Sequence, residues 1–252
     1  MNNHDQPRNA AAGCFETGQL TGLRVLVTGG AVRVGREFCR ALKSAGADVV
    51  IHYRSSAAAA AELGSELNAV TVQGDLTVAA DRERIFETVG TFNALVNNAS
   101  CYQVKPLLDE SEAEMRRQLE INLIAPLEMM KLFRRQLNRE PGSVVNILDQ
   151  EVFRFSDSQG GYSLAKKSLR DVTLASARHY ASEQLRVNAI APGPVLAPAG
   201  LEHCGMAKTL QDVPLRRPVA MSDLTAALVF LLSCSSVTGQ ILAVDCGQHL
   251  NG

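Results

Sequence analysis

Tyr162 and Lys166 stand four residues apart, a spacing that puts both side chains on one face of a helix. A free tyrosine titrates near pH ~10, too high for proton exchange near neutrality. An ammonium beside it favours the phenolate and lowers that value, which makes the pair a usable acid–base unit. Alone, such a pair is an ordinary feature of helix surfaces. It gains meaning here from Thr28–Gly35, Asn97-Asn98-Ala99-Ser100, Asn122 and Pro192-Gly193 in the same chain.

The stretch Thr28-Gly29-Gly30-Ala31-Val32-Arg33-Val34-Gly35 follows an apolar run and opens a helical pattern. Small residues in such a turn let backbone N–H groups approach a pyrophosphate at a helix N-terminus. The spacing TGxxxRxG departs from GxGxxG and marks a variant nucleotide turn. After the second apolar run an acidic residue would accept from a ribose 2′-OH. This chain instead reads His52-Tyr53-Arg54-Ser55-Ser56. Arg54 can make charge-assisted bonds to a 2′-phosphate, and Ser55 can add a hydroxyl, so NADP(H) is the expected dinucleotide. Asp75, in Gly74-Asp75-Leu76, either accepts from an adenine amine or serves as a turn aspartate.

The elements that must position these groups alternate. Apolar runs at Arg24–Val27, Asp48–Tyr53, Val70–Gln73, Ala94–Asn97, Ser143–Leu148, Arg186–Ile190 and Ile241–Val244 read as strands. Helical spacing predicts helices over Val34–Ser44, Ala57–Leu67, Asp81–Val89, Ser111–Leu137 (with a break near Pro126), Tyr162–Ser182 and Asp223–Leu231. Continuous apolar strands separated by helices imply an α/β fold with a doubly wound parallel sheet covered on both faces. The glycine turn at the first strand–helix junction favours a Rossmann-type sheet over a (β/α)8 barrel. Residues 1–22 read as a flexible arm and 23–252 as one domain. Gly193–Pro218, rich in Pro and Gly, reads as a mobile lid over the substrate.

Composition agrees with a globular chain: 252 residues, 46% hydrophobic and 20% charged. With 25 Lys and Arg against 26 Asp and Glu, there is no basic surplus to attract nucleic acid or an anionic membrane. No signal segment or membrane-length apolar run is visible. The six cysteines form no CxxC or zinc-ligand pattern and read as reduced thiols of a cytoplasmic protein. His203 and Cys204 lack enough companions for a metal site. Ser163 has no Gly-x-Ser-x-Gly elbow, which excludes the usual serine hydrolase arrangement.

Taken together, TGxxxRxG, Gly74-Asp75-Leu76, Asn97–Ser100, Asn122, Tyr162-Ser163-Leu164-Ala165-Lys166 and Arg186–Gly193 resemble the short-chain dehydrogenase/reductase family. The resemblance runs from Leu23 to Gly252. It implies a seven-stranded Rossmann sheet, often in a homotetramer, and an Asn–Ser–Tyr–Lys catalytic set. Asn122 would hold a water near Lys166, Tyr162 would donate the proton, and Lys166 would also bind the nicotinamide ribose. The implied cofactor contacts are Gly29, Arg33, Val34 and Gly35 in the first turn, then Tyr53, Arg54, Ser55, Asp75 and Leu76. They continue with Asn98, Ala99, Ser100, Tyr162, Lys166, Pro192, Gly193 and Val195.

Two departures from the family pattern point one way. The family's serine, 13 residues before the tyrosine, is Asp149 here, and its middle glycine is Arg33. Both resemble the pteridine reductase branch, as do HYRSS and the C-terminal Gly247-Gln248-His249-Leu250. Reducing a C–N double bond of a pterin requires protonating ring nitrogens, and a carboxyl at 149 suits that better than a hydroxyl. Arg33 can bond both a phosphate and a ring edge. Tyr102 resembles the aromatic that stacks the pterin over the nicotinamide. The expected substrate contacts are therefore Arg33, Ser100, Tyr102, Asp149 and Tyr162, and the expected activity is NADPH-dependent reduction of dihydropterins and dihydrofolate. The alternatives are a carbonyl reductase of the same fold, such as a 3-oxoacyl-carrier-protein reductase, and a catalytically silent NADP-binding regulator. Cys246 stands where glycine would be common.

Overall fold

The computed structural model describes residues 18–103, 105–154, 159–195 and 210–251. Seven strands, β1 (Arg24–Val27), β2 (Asp48–Tyr53), β3 (Val70–Gln73), β4 (Ala94–Asn97), β5 (Gly142–Ile147), β6 (Leu185–Pro192) and β7 (Ile241–Val244), form one sheet in the order β3-β2-β1-β4-β5-β6-β7. Every pairing is parallel. The strand order reverses between β1 and β4. In open α/β sheets that reversal leaves a crevice beyond the carboxyl ends of the strands, where ligands bind.

The two-residue period of a strand divides the core. Val25 and Val27 of β1 face one way, onto Phe38 and Leu42 of α1 (Arg33–Ser44), Leu63 of α2 (Ala57–Leu67) and Leu228 of α7 (Met221–Ser233). Leu26, between them, faces the other layer, with Ile85 of α3 (Ala79–Val89) and Met129 and Phe133 of α5 (Ala125–Leu137). The uninterrupted apolar runs are explained by burial of the sheet on both faces.

The long helical stretch breaks at an earlier place than Pro126. It comprises α4 (Glu112–Leu119), a π-helical turn at Glu120–Ile124, and α5 with Pro126 in its first turn. Proline has no N–H to give to the carbonyl four residues back, and its ring crowds that carbonyl; here the affected residue is Asn122. The chain widens instead, and the Ala125 N–H reaches the Glu120 carbonyl. α4 itself starts at a capping box: the Ser111 hydroxyl accepts from the Glu114 N–H while the Glu114 side chain accepts from the Ser111 N–H.

α6 spans Gly160–His179 and is followed by a 3-10 turn at Ala181–Glu183, so the helix predicted to Ser182 ends three residues earlier. Its first turn sits against α4, where a Cβ on Gly161 would come within 2.8 Å of the Met115 sulfur. Residues 18–22, expected in the arm, dock on the body: Leu20 is buried and its N–H reaches the Ala45 carbonyl at 2.8 Å. The expected lid falls largely outside the described residues, as do His203 and Cys204. No helix among the described residues is long and apolar enough to cross a membrane.

Candidate active site

The turn between β1 and α1 is built from close approaches. Gly29 has φ +61°, and a Cβ there would press on Ala99. A Cβ on Gly35 would collide with the Gly29 carbonyl and lie 2.6 Å from the Asn98 amide nitrogen. Asn98 Nδ2 donates to the Thr28 and Gly29 carbonyls at 2.9 and 3.1 Å, and the Thr28 hydroxyl accepts from the Asn98 and Ala99 N–H groups. The first turn of α1 has no side-chain cap and no acid, which leaves its N-terminus suited to an anion. These features fit a dinucleotide pyrophosphate. Arg33 has φ +54°, a left-handed conformation costing a non-glycine residue about 1–2 kcal/mol. The family's glycine at this position is thereby explained on backbone grounds, and the arginine is held there despite the strain.

At the end of β2, Arg54 and Ser55 are exposed, and Tyr53 is half-buried with its carbonyl taking the Gly74 N–H at 3.1 Å. Asp75 is a turn residue on one side: its Oδ1 accepts from the Thr77 N–H and hydroxyl at 2.9 and 2.8 Å. Those bonds, chiefly the backbone one, hold its carboxyl below the ordinary range, with a smaller pull from Arg54. Leu76 turns into the core, and its carbonyl takes the Arg82 guanidinium. Pro192, Gly193 and Val195 lie at the carboxyl end of β6, where a Cβ on Gly193 would come within 2.7 Å of the Asp245 backbone.

At the reacting end, α6 brings Tyr162 and Lys166 against the carboxyl end of β5. The Tyr162 hydroxyl donates to Asp149 Oδ2 at 3.0 Å. The other oxygen of Asp149 accepts the Glu151 N–H and caps the 3-10 turn Gln150–Phe153. Asp149 is thus both a local cap and a partner of the phenol. Lys166 Nζ donates to the Ile147 carbonyl at 2.8 Å and lies 5.7 Å from the Tyr162 ring centroid. The Tyr102 ring meets Tyr162 edge-on, with centroids 4.9 Å apart, and is 41% exposed.

The electrostatics correct one expectation. Lys166 does not set the phenol's pKa in this arrangement. Burial and then the negative Asp149 push Tyr162 well above its ordinary value, because the carboxylate is hydrogen-bonded to the hydroxyl while the ammonium is turned to a carbonyl. Tyr162 is therefore held protonated. Burial also raises Asp149 and pulls the Lys166 ammonium down to about 8.

The side chain of Asn122 is directed at the loop after β4. Its Oδ1 accepts from the Ser100 hydroxyl at 2.6 Å, and its Nδ2 donates to the Cys101 carbonyl at 2.9 Å and to Gln118 Oε1 at 3.0 Å. Gln118, which no sequence motif marks, is buried and carries the network onward to Gln103. Its signal is its place one helical turn before Asn122. His52 stands in the HYRSS segment with no role of its own assigned by the sequence. It is buried in β2, and its ring meets the Gly29 N–H and the Gly74 carbonyl. A lone imidazole in the apolar run Asp48–Tyr53 was the available clue. Among the described residues no cluster of three or more His, Cys, Asp or Glu could hold a metal.

A Rossmann-type sheet with Tyr and Lys one helical turn apart beside its carboxyl edge defines a dinucleotide-dependent oxidoreductase. Residues 30–249 match the family described as enoyl-(acyl carrier protein) reductase, and the chain belongs to the short-chain dehydrogenase/reductase family. It is 30% identical over 247 residues to L-xylulose reductase of Caenorhabditis elegans, covering 92% of this chain and 98% of that protein. It is 29% identical over 276 residues to pteridine reductase 1 of Leishmania tarentolae, covering 89% and 96%. The solved structure of FolM alternative dihydrofolate reductase 1 from Brucella suis in complex with NADP superposes with a TM-score of 0.84 at 31% identity, covering 92% and 96%.

Proposed function

We propose that this protein is an NADPH-dependent reductase of pteridines, acting on dihydropterins and dihydrofolate. The observation that carries the reading is the 3.0 Å bond from the Tyr162 hydroxyl to Asp149, an acid at the position where the family has serine. Support for NADP(H) comes from Arg54 and Ser55 in place of an acid after β2, and from the NADP bound in the Brucella structure. Support for the pterin comes from likeness to pteridine reductase 1 and FolM, and from a half-exposed Tyr102 beside the phenol.

Bound NADPH supplies the hydride that reduces a C–N double bond. The chain's own part is the proton that the ring nitrogen gains. Tyr162, buried and protonated, holds that proton at its hydroxyl. Asp149 orients the hydroxyl, and its raised pKa lets it hold a replacement proton after transfer. Lys166, fixed on the Ile147 carbonyl, keeps a positive charge beside the phenolate that forms. The Ser100 hydroxyl donates to Asn122 Oδ1, tying the loop after β4 to the π-helical turn.

The test is to follow NADPH oxidation with 7,8-dihydropterins, dihydrofolate, L-xylulose and an acetoacetyl thioester in parallel. We expect turnover on the pterins and little on the others. Asp149→Ser is expected to lower pterin turnover by roughly 10- to 100-fold. Preferred turnover of the sugar or thioester defeats the reading, as does an Asp149→Ser variant with undiminished pterin activity.

A further inference from the structure

His52 lies in β2, between β1 and β3, and is 2% exposed. Its carbonyl accepts the Gly30 N–H at 2.9 Å, and its ring Nδ1 accepts the Gly29 N–H at 3.1 Å. The other ring nitrogen, Nε2, is 3.0 Å from the Gly74 carbonyl oxygen. A carbonyl oxygen needs an N–H opposite it, and an amide N–H needs a lone pair. Both contacts together require a neutral imidazole with its proton on Nε2. Two consecutive N–H groups of the Thr28–Gly35 turn are thus anchored on this single residue, while Asn98 holds the carbonyls of Thr28 and Gly29 from the opposite side. Gly74 precedes Asp75, so the third contact reaches the turn expected to face the adenine.

We propose that His52 is a positioning residue of the dinucleotide site: a neutral strut that sets the spacing between the Thr28–Gly35 turn and the Gly74–Asp75 turn. This rests on the cofactor reading above. An imidazole suits the task because its donor and acceptor point in diverging directions on a rigid ring, whereas an amide carries both at the end of a flexible arm. An apolar side chain would leave the Gly29 N–H and Gly74 carbonyl without these partners. Burial lowers the ring's pKa to about 4, against the opposing pull of the Asp75 and Asp81 carboxylates, so the required tautomer persists across neutral pH.

The experiment is calorimetric titration of NADPH and NADH into the wild type, His52→Ala and His52→Gln, with hydrogen exchange of the Gly29 amide. His52→Ala is expected to bind both dinucleotides about tenfold more weakly, by the same factor. Its Gly29 amide should exchange about tenfold faster while amides of β5 and β6 stay unchanged. His52→Gln, able to restore one bond, should fall between. A folded His52→Ala with wild-type affinity overturns the proposal, and so does a loss confined to NADPH, which would place the effect at the 2′-phosphate. A wild type that binds neither dinucleotide removes the cofactor reading, and the proposal with it. Independently of any variant, the wild-type imidazole 15N spectrum should report the Nε2–H form without titration between pH ~5 and ~8. An Nδ1–H form, or a titration in that range, overturns the proposal.

Discussion

At the dinucleotide end of the crevice, what is held in place is mostly backbone. Asn98 takes two carbonyls of the first turn, His52 takes two of its N–H groups, Gly29 holds a left-handed φ, and Gly35 leaves no room for a Cβ. At the reacting end, what is held in place is side-chain termini: a phenol on a carboxylate, an ammonium on a carbonyl, an amide on a hydroxyl. The first end gains from rigidity, because a bound polyanion is met by fixed dipoles. The second depends on burial, because proton transfer requires pKa values moved from their solution positions. Damage to the first should appear as lost affinity, and damage to the second as lost turnover.

The largest expected effect is at the reacting end. Tyr162→Phe should cut kcat by about 10²- to 10⁴-fold and weaken NADPH binding far less, checked by steady-state kinetics beside calorimetry. A comparable loss of affinity would blur the division. Next is Gly35→Ala. The added methyl meets the Gly29 carbonyl and the Asn98 amide, so overpacking of about 1–3 kcal/mol should lower the melting temperature and weaken NADPH binding roughly tenfold or more. Retained affinity would show that the turn yields more readily than its packing implies. Smallest is the pH response. Lys166 is charged below its value of about 8 and neutral above it, so kcat/KM for reduction should halve near that pH and fall further as pH rises. In Lys166→Arg the charge persists, and the basic limb should move to higher pH; an unmoved limb would assign it to another group.

Some of this was legible without coordinates because it is encoded over short spans. β1, β2, β3, β4 and β7 occupy their predicted limits, since each is an apolar run between turn residues. The break in the long helical stretch was harder. Pro126 signalled it, but the distortion falls on the turn preceding the proline, which places Asn122 in a π-helical segment. The sequence assigns no role to the side chains of Gln118 and His52, because a single buried polar residue has no periodicity; its role exists only through partners elsewhere in the chain. Arg33 stands out in the sequence as a departure from glycine, yet its φ of +54° belongs to the folded turn.

By itself, the order of residues determined the sheet-and-helix alternation, the nucleotide turn, the helix face shared by Tyr162 and Lys166, and the acid at 149. Local stereochemistry and the period of hydrophobic residues are enough for these. Tertiary structure alone decided that Asp149 touches the phenol, that Tyr162 is held protonated, and that His52 carries its proton on one nitrogen. Each depends on desolvation and on groups brought within about 3 Å from separate strands and helices, and those distances exist only once the sheet is closed over by its two helical layers.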